Sequence, residues 1–542
     1  MSYVELHCHS AYSFLDGTSQ PEELALRAAE LGYETIALTD HDGVYGSMEF
    51  AYAAKHLEVR ALTGAEVTLE GGSHVTLLAE TRRGYANLCR LLTEAHAGTR
   101  PRPNRDPLPP ALPLDSLLER REGLVCLSGC ARHGLAVRDP KAAARIAAAF
   151  GRERFYVELQ RPYERGDARR NARLQELAAA LGVHAVATGD PHAHHPRRSR
   201  LQDVLVAIAS GSSLDGCERE RRGNHESVLL SPAEMAERLP RDAVERTVEV
   251  AARLEFDLTR ELGYRYPDFS GGDDPADTQL ARICERALLD RYGSDRTARQ
   301  RLEEELSLIR HLGLSGFFLL HHEVLELARE CALEVRGPGS PRRALPPGRG
   351  RGSSVGSLVC YLTGLSHVDP VANGLSLGRF LNRELAAVPD IDLDFPRDIR
   401  ERLIVRVIER YGHEHSALVA AFSTYHARGA IRDVGKALGL PSAELERLAR
   451  LTEGNPHRVA EEIARLPGDH SSARWRALGE LAAEIGGLPR HVSQHPGGMV
   501  ISTRPLVELV PVQPAAMAGR QIVQWDKDSS EDAGFLKIDL LG

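Results

Sequence analysis

No stretch of this 542-residue chain approaches the roughly 20 consecutive apolar residues that a membrane-spanning helix needs. The start, Met1-Ser2-Tyr3-Val4-Glu5, lacks both a basic lead and a long apolar segment, so a secretory signal is not expected. Eight cysteines are scattered without paired spacing, which argues against a disulfide framework and for a reducing compartment. These absences set a cytoplasmic expectation. An excess of positive charge is missing too: the formal net charge of −8 excludes a protein that coats nucleic acid by global attraction, and leaves a local basic groove open. With 42% hydrophobic and 27% charged residues the chain can bury more than one core, and roughly two to four domains are expected.

What the chain does have is a row of acids on alternate positions, Pro389-Asp390-Ile391-Asp392-Leu393-Asp394-Phe395. In a β-strand Asp390, Asp392 and Asp394 share one face, while Ile391, Leu393 and Phe395 pack into a core. Carboxylates that close stay ionised together only when cations neutralise them, and hard oxygen donors suit Mg²⁺. Two such ions roughly 3.5–4 Å apart are the apparatus of polymerases and nucleases for in-line attack at phosphorus. Lys537-Ile538-Asp539 repeats the alternation close to Gly542, placing an ammonium beside a carboxylate where a nucleotide's phosphates can meet it. Alternating aspartates also suit a solvated sheet edge, and that reading stays open.

Upstream, the Gly/Ser/Arg run at 348–357 precedes the apolar stretch Leu358-Val359-Cys360-Tyr361-Leu362. Glycines let backbone N–H groups approach phosphate oxygens, and a helix starting at the serines would aim its positive end at them. The same composition suits a flexible linker. Arginines flank the acidic run on both sides, at 336, 342, 343, 349 and 351 and again at 397, 400, 402 and 406. They fit either a phosphate-binding groove with strong salt dependence or an ordinary solvated surface.

The first third alternates short apolar runs with helical stretches, and ligand-type residues recur in or near the ends of the runs. Residues 3–10 read as a strand with His7 and His9 on one face; 34–39 precede Asp40 and His41; 60–67 contain Glu66; His74 opens 75–78. Residues 124–128 lead to Cys130, and 183–188 lead to Asp190 and His192. Amphipathic helices are expected over 21–31, 47–56, 84–96, 140–150 and 167–181. Such alternation argues for a parallel sheet or barrel with its site at the carboxyl ends of the strands. A cysteine after an apolar strand is by default a buried small hydrophobe. Further on, helical patterns cover 232–254, 277–333 and 428–485, the last with a basic stretch at 428–436, and 270–275 reads as a linker. Residues 494–501 return to strand character, with His495 open to a phosphate contact or a turn role.

The run from Gly350 through Arg379-Phe380-Leu381-Asn382 to Pro389-Asp390-Ile391-Asp392, with Lys537-Ile538-Asp539-Leu540-Leu541-Gly542, resembles the bacterial C-family DNA polymerases, the alpha subunit of DNA polymerase III. The resemblance implies Asp390, Asp392 and Asp539 as holders of catalytic Mg²⁺, Asp394 in support, and Gly352, Ser353, Arg379 and Lys537 as phosphate contacts. His7, His9, Asp16, His41, Glu66, His74, Cys130, Asp190 and His192 are similar, position by position, to the ligand set of the PHP domain. That likeness implies a distorted (β/α)7 barrel with a trinuclear centre taking Zn²⁺, Mn²⁺ or Fe²⁺, and a 3′-5′ exonuclease activity.

The implied α/β architecture is a PHP domain over 1–270, the first part of a polymerase beta-like nucleotidyltransferase palm over 271–425, a helical thumb over 426–495 and the second palm part over 496–542. Primer-template DNA and deoxynucleoside triphosphates are the implied partners, with a sliding clamp and other replication or repair subunits for the full-length family, and no membrane. C-family polymerases continue into fingers beyond the position of Gly542, so an N-terminal portion with weak or absent polymerisation on its own is expected. Residues 338–347 read as an insertion, and 489–491 and 523–528 lean toward the error-prone branch. The alternative is a metal-dependent phosphoesterase whose C-terminal half binds nucleic acid without catalysis.

Overall fold

The structure, a computed structural model, describes residues 2–101, 107–264, 274–344, 348–350, 352–378, 380–382, 389, 391–466 and 470–541. It divides into two compact units, one of residues 1–262, 421–493 and 507–514, the other of 263–420, 494–506 and 515–542.

In the first unit six strands pair in chain order: β1 (Thr35–Leu38), β2 (Arg60–Thr68), β3 (His74–Ala79), β4 (Leu124–Leu127), β5 (Phe155–Leu159) and β6 (His184–Ala187). The pairs β1–β2, β4–β5 and β5–β6 are parallel, whereas β3 runs antiparallel to both neighbours. The reversal arises in the five-residue link after β2. Gly71 and Gly72 there hold φ of 94° and 78°, a region glycine enters without a Cβ penalty, so the chain turns straight back instead of crossing over through a helix.

The expected strand over 3–10 forms only one bridge, Glu5 to Ile36. Its backbone is nonetheless tied on both sides, with Ala37 N donating to Glu5 O, Thr39 N to Cys8 O and His9 N to Pro191 O. Side chains replace the rest of the ladder: Thr39 Oγ1 accepts from Cys8 N and Glu5 Oε1 from His7 N. The segment is therefore a seventh stave joining β1 to the end of β6.

Helices Pro21–Glu30, Ser47–His56, Arg82–His96, Pro140–Phe150 and Asp167–Leu181 lie where the alternation places them. Their apolar stripes meet the sheet in one core that includes Leu24, Ile36, Leu77, Leu91, Ile146 and Phe155. Strands β4 and β5 are buried along their whole length, which is why they read as unbroken apolar runs rather than alternating ones. The helical pattern over 232–254 is divided at Pro240, which has no N–H to continue a helix. Helices Ala427–Ala437, Ser442–Leu451 and Ala473–Ile485 share a second core with Ser199–Ala209, through Leu201, Leu205, Ile431, Val434, Leu448 and Leu478.

The second unit opens on three helices, Ala276–Tyr292, Arg296–His311 and Ser315–Arg336. The second sheet carries, as successive neighbours, Gln521–Val523, Ser416–Thr424, Pro489–Ile501, Lys537–Leu541, Leu393–Asp394 and Arg349–Gly350. Among the described residues of the acidic run, Leu393 and Asp394 enter the ladder, pairing in parallel with Leu540 and Leu541. The side-chain alternation extends further: Ile391, Leu393 and Phe395 are buried and Asp392 and Asp394 half-buried. Asp390, and residues 345–347 of the expected insertion, lie outside the described residues.

His321, inside Ser315–Arg336, is fully buried against Phe317, and its Nδ1 donates to the Phe317 carbonyl 2.8 Å away. Burial pushes its pKa down to about 4, against the small upward pull of that carbonyl. An unfolded chain takes a proton here below about pH 6.5 and the folded one does not, so this contribution to stability is present above 6.5 and lost as pH falls toward 4. His321→Leu is expected to shrink the stability lost between pH 7 and pH 5 by about 2 kcal/mol, read from urea midpoints at the two pH values.

Candidate metal centres

The parallel strands of the first unit bring their carboxyl ends to one rim, and the reversed β3 presents its first residue there. Hence His74 opens its strand yet joins side chains that follow or end theirs. Glu66 lies at the middle of the cluster. Its Oε1 is 3.2 Å from His74 Nδ1 and 3.7 Å from His7 Nε2, and its Oε2 is 2.8 Å from His41 Nδ1 and 3.7 Å from His9 Nε2. Asp190 Oδ1 stands 3.2 Å from His9 Nε2 and 3.8 Å from His7 Nε2. Asp16 Oδ2 reaches His192 Nε2 at 3.0 Å and His41 Nε2 at 3.4 Å. Among the described residues three tight groups have metal-ligand geometry: His9 with His41 and His192, His7 with His9 and Glu66, and His41 with Glu66 and His74.

Six atoms facing this space, His7 Nε2, His9 Nε2, both Glu66 oxygens, His74 Nδ1 and Asp190 Oδ1, are buried without a hydrogen-bond partner. Each orphan costs about 1–3 kcal/mol, and divalent cations would satisfy all six at once. Imidazole and carboxylate in this mixture suit Zn²⁺, Mn²⁺ or Fe²⁺. Burial, with the imidazoles of His192 and His41, pushes His9 down to about 3, leaving a neutral ring with a lone pair for a metal. Burial also works to lower His7, but the Glu158 and Asp190 carboxylates outweigh it and hold that ring well above its usual range. Cys130 is buried, outside the three groups, and its Sγ accepts from His133 N at 3.3 Å.

A second layer orients the rings. His7 Nδ1 is 2.6 Å from Glu158 Oε1, which also accepts from Gln160 Nε2 and Thr188 Oγ1. His9 Nδ1 lies 3.0 Å from Ser13 Oγ, whose hydroxyl donates to Asp40. Partners of this kind fix tautomer and ring plane. Sequence reasoning missed Glu158, although a lone glutamate inside the wholly buried run Phe-Tyr-Val-Glu-Leu is an anomaly worth reading. It also missed Arg222, whose Nη2 is 2.8 Å from His192 Nε2 and 3.9 Å from Asp16 Oδ2. Nothing in the charged run around Arg222 marks it out.

In the second unit Asp539 is 5% exposed, with Oδ2 at 2.5 Å from Lys537 Nζ and Oδ1 buried without a hydrogen-bond partner. The register that pairs Leu540 with Leu393 sets Asp539 beside Asp392, on the same side of neighbouring parallel strands. Across the other strand Asp539 pairs with Gly498. A Cβ at Gly498 would come within 2.7 Å of His495 Nδ1 and 3.2 Å of Asp539 Oδ1, so glycine keeps room beside the carboxylate. His495 Nδ1 accepts from Gly498 N at 2.6 Å, a local backbone contact within strand Pro489–Ile501. Gly352, at φ 74°, and Ser353 are exposed, while Arg379 and Asp390 lie outside the described residues.

The expected helix end aimed at phosphates is corrected by Glu305. Its buried carboxylate accepts from Leu358 N at 2.8 Å, from Val359 N at 3.2 Å and from the Ser357 hydroxyl, so the start of Leu358–Leu362 is already capped. Four of the flanking arginines are likewise engaged: Arg402 and Arg406 pair with Glu334, Arg400 with Glu401 and Arg336 with Asp398. Arg351 lies outside the described residues.

Two family profiles match the sequence: the PHP domain over residues 5–162, and the bacterial DNA polymerase III alpha NTPase domain over 278–542. An error-prone DNA polymerase of Symbiobacterium thermophilum is 37% identical over 573 residues, covering 100% of this chain and 51% of that protein. One from Pseudomonas paraeruginosa is 38% identical over 553 residues, with coverages of 100% and 51%. One from Mycobacterium tuberculosis is 36% identical over 572 residues, with coverages of 100% and 49%. The chain thus spans about half the length of the curated relatives it matches.

Proposed function

This chain belongs to the DNA polymerase III alpha family and carries that family's PHP domain, and from that premise we propose that it serves template-directed nucleotidyl transfer by an error-prone C-family DNA polymerase. The observation that carries the reading is Asp539, a buried carboxylate with one orphaned oxygen, set beside Asp392 and charge-balanced by Lys537. In this reading Asp390, Asp392 and Asp539 hold Mg²⁺, with Asp394 behind them. When bound, such ions polarise phosphoryl oxygens and steady the charge that develops on the attacking and leaving oxygens.

The chain's own groups do the rest. Lys537 is placed to exchange its contact with Asp539 for a triphosphate oxygen. The exposed backbone at Gly352 and Ser353, with Arg379, grips the remaining phosphates, and Gly498 leaves space at the carboxylate. Primer-template DNA and deoxynucleoside triphosphates are the partners, and a sliding clamp and other replication or repair subunits belong to the same proposal. Among the described residues no helix is long and apolar enough to cross a membrane.

For the first unit we propose hydrolysis of 3′-terminal phosphodiesters with Zn²⁺ or Mn²⁺ held by His7, His9, Asp16, His41, Glu66, His74, Cys130, Asp190 and His192, the six orphaned atoms being its support. Arg222, against His192 and Asp16, supplies positive charge at the same centre. The polymerase reading is tested by the affinity of this chain, bound to primer-template in Mg²⁺, for each of four fluorescent deoxynucleoside triphosphates. Tighter binding of the nucleotide that matches the template base is expected. Equal affinity for all four, or binding indifferent to Mg²⁺, would favour a phosphoesterase with a non-catalytic C-terminal half.

A further inference from the structure

A groove of about 730 Å³ lies along helix Asp167–Leu181, between that helix and residues 131–140. Its walls include Val137, Leu174 and Leu177, and four arginines, 165, 169, 170 and 173, line it against one acid, Glu176. Arg170 is engaged, with Asp167 at 2.8 Å and the Gln160 carbonyl at 3.3 Å. Arg165, Arg169 and Arg173 are exposed and make no ion pair or hydrogen bond among the described residues. In a chain of net charge −8 such a concentration of unpaired cations beside an apolar wall is not explained by the fold.

The groove wall is tied to the metal centre by buried hydrogen bonds. Ala131, in its wall, directly follows Cys130, and its N–H donates to Gln160 Oε1 at 2.7 Å. The amide of Gln160 then donates to Glu158, the carboxylate that holds His7. One side chain therefore joins the groove wall to a ligand of the cluster.

We infer that this groove is the track for the single strand whose 3′ end enters the PHP centre. Arg169 and Arg173 stand one helical turn apart, about 6 Å along the axis, a step comparable with successive phosphates in an extended strand. The apolar wall of Val137 and Leu177 faces sugars and bases, and the guanidinium row faces phosphates, so recognition is by backbone charge and not by sequence. An acidic protein segment would satisfy the charge, but the link of the groove wall through Gln160 and Glu158 to His7, in the proposed hydrolytic centre, favours a nucleic-acid strand. The inference rests on the hydrolytic reading of that centre.

The test compares the 542-residue chain with its Arg165→Ala, Arg169→Ala, Arg173→Ala triple variant and the matching triple Arg→Lys variant. Binding of a fluorescein-labelled oligothymidylate is followed by anisotropy across a salt series with EDTA present, so no hydrolysis intervenes. The alanine variant is expected to bind about tenfold or more weakly, with a log–log salt slope lower by about 2, while the lysine variant keeps the slope. Indistinguishable affinity and slope in wild type and alanine variant would overturn the inference. So would a loss of polyglutamate binding with oligonucleotide binding intact, which would assign the groove to a protein. Release of p-nitrophenol from its phosphate ester and removal of 3′ nucleotides, both in Mn²⁺, separate the two readings. If wild type does neither while oligonucleotide binding still depends on the arginines, the hydrolytic reading falls and the groove stands.

Discussion

His9→Ala is expected to reduce Mn²⁺- or Zn²⁺-dependent removal of 3′ nucleotides by this chain at least about 100-fold, equivalent to about 2.7 kcal/mol of barrier. Residues that merely orient a metal ligand are worth roughly 10–100-fold, so loss of a ligand itself sets the floor at the top of that range. His9 is a severe choice because its Nε2 faces both Glu66 and Asp190, and its ring stacks between His41 and His192, with centroids 4.4 Å from each. Alanine would remove the ring nitrogen that faces both Glu66 and Asp190, so a metal held there would lose a donor. The measurement is metal content by mass spectrometry beside the hydrolysis rate. A variant that keeps wild-type metal content and rate would remove His9 from the centre.

Asp539→Asn is the second large effect. Asparagine has the shape of aspartate, so the strand pairing with Gly498 and Leu393 is retained, while the charge that balances Lys537 is gone. Removing one preorganised charge-stabilising group from a reacting centre costs about 10²–10³ in rate, and loss of a carboxylate proposed to hold metal is expected to cost at least that much of the template-matched nucleotide addition in an assembly that supplies the fingers. Deoxynucleoside triphosphate binding should weaken with it, because the site would hold Mg²⁺ with one carboxylate fewer. The hydrolysis centred on His9 should be unchanged, since the two sets of residues lie in different units. Nucleotide addition at the wild-type rate would mean that Asp539 serves only the sheet.

Which parts were legible in the sequence follows from the range of the interactions. Helices such as Ser47–His56, Pro140–Phe150 and Asp167–Leu181 are set by local apolar spacing and by caps like Asp139, whose carboxylate accepts from Lys141 N and Ala142 N. The alternation of buried Ile391, Leu393 and Phe395 with half-buried Asp392 and Asp394 was equally local. The reversal of β3 was less so: two consecutive glycines mark the turn, but only the pairing with β2 and β4 shows that His74 arrives at the rim. The stave at 3–10 reads as a strand, yet its ladder is largely replaced by Thr39 and Glu5 side chains, which no periodicity encodes.

The same limit explains the residues that were missed. Glu158 meets His7 across 151 positions, and Glu305 caps a helix 53 positions away, so neither partner is visible from its neighbours. Glu305 also shows how a correct pattern leads to a wrong expectation. Glycines and serines before an apolar helix do make an anion site when the helix end is open, and here a buried carboxylate fills it.

We propose two separate metal-dependent centres, one for hydrolysis and one for nucleotidyl transfer. Removal of the terminal nucleotide from a 3′-mismatched primer-template in Mn²⁺, by wild type, His9→Ala and Asp539→Asn, tests this most directly. Removal lost in His9→Ala and preserved in Asp539→Asn is the expected result. Removal preserved in His9→Ala, or lost equally in both, would contradict it.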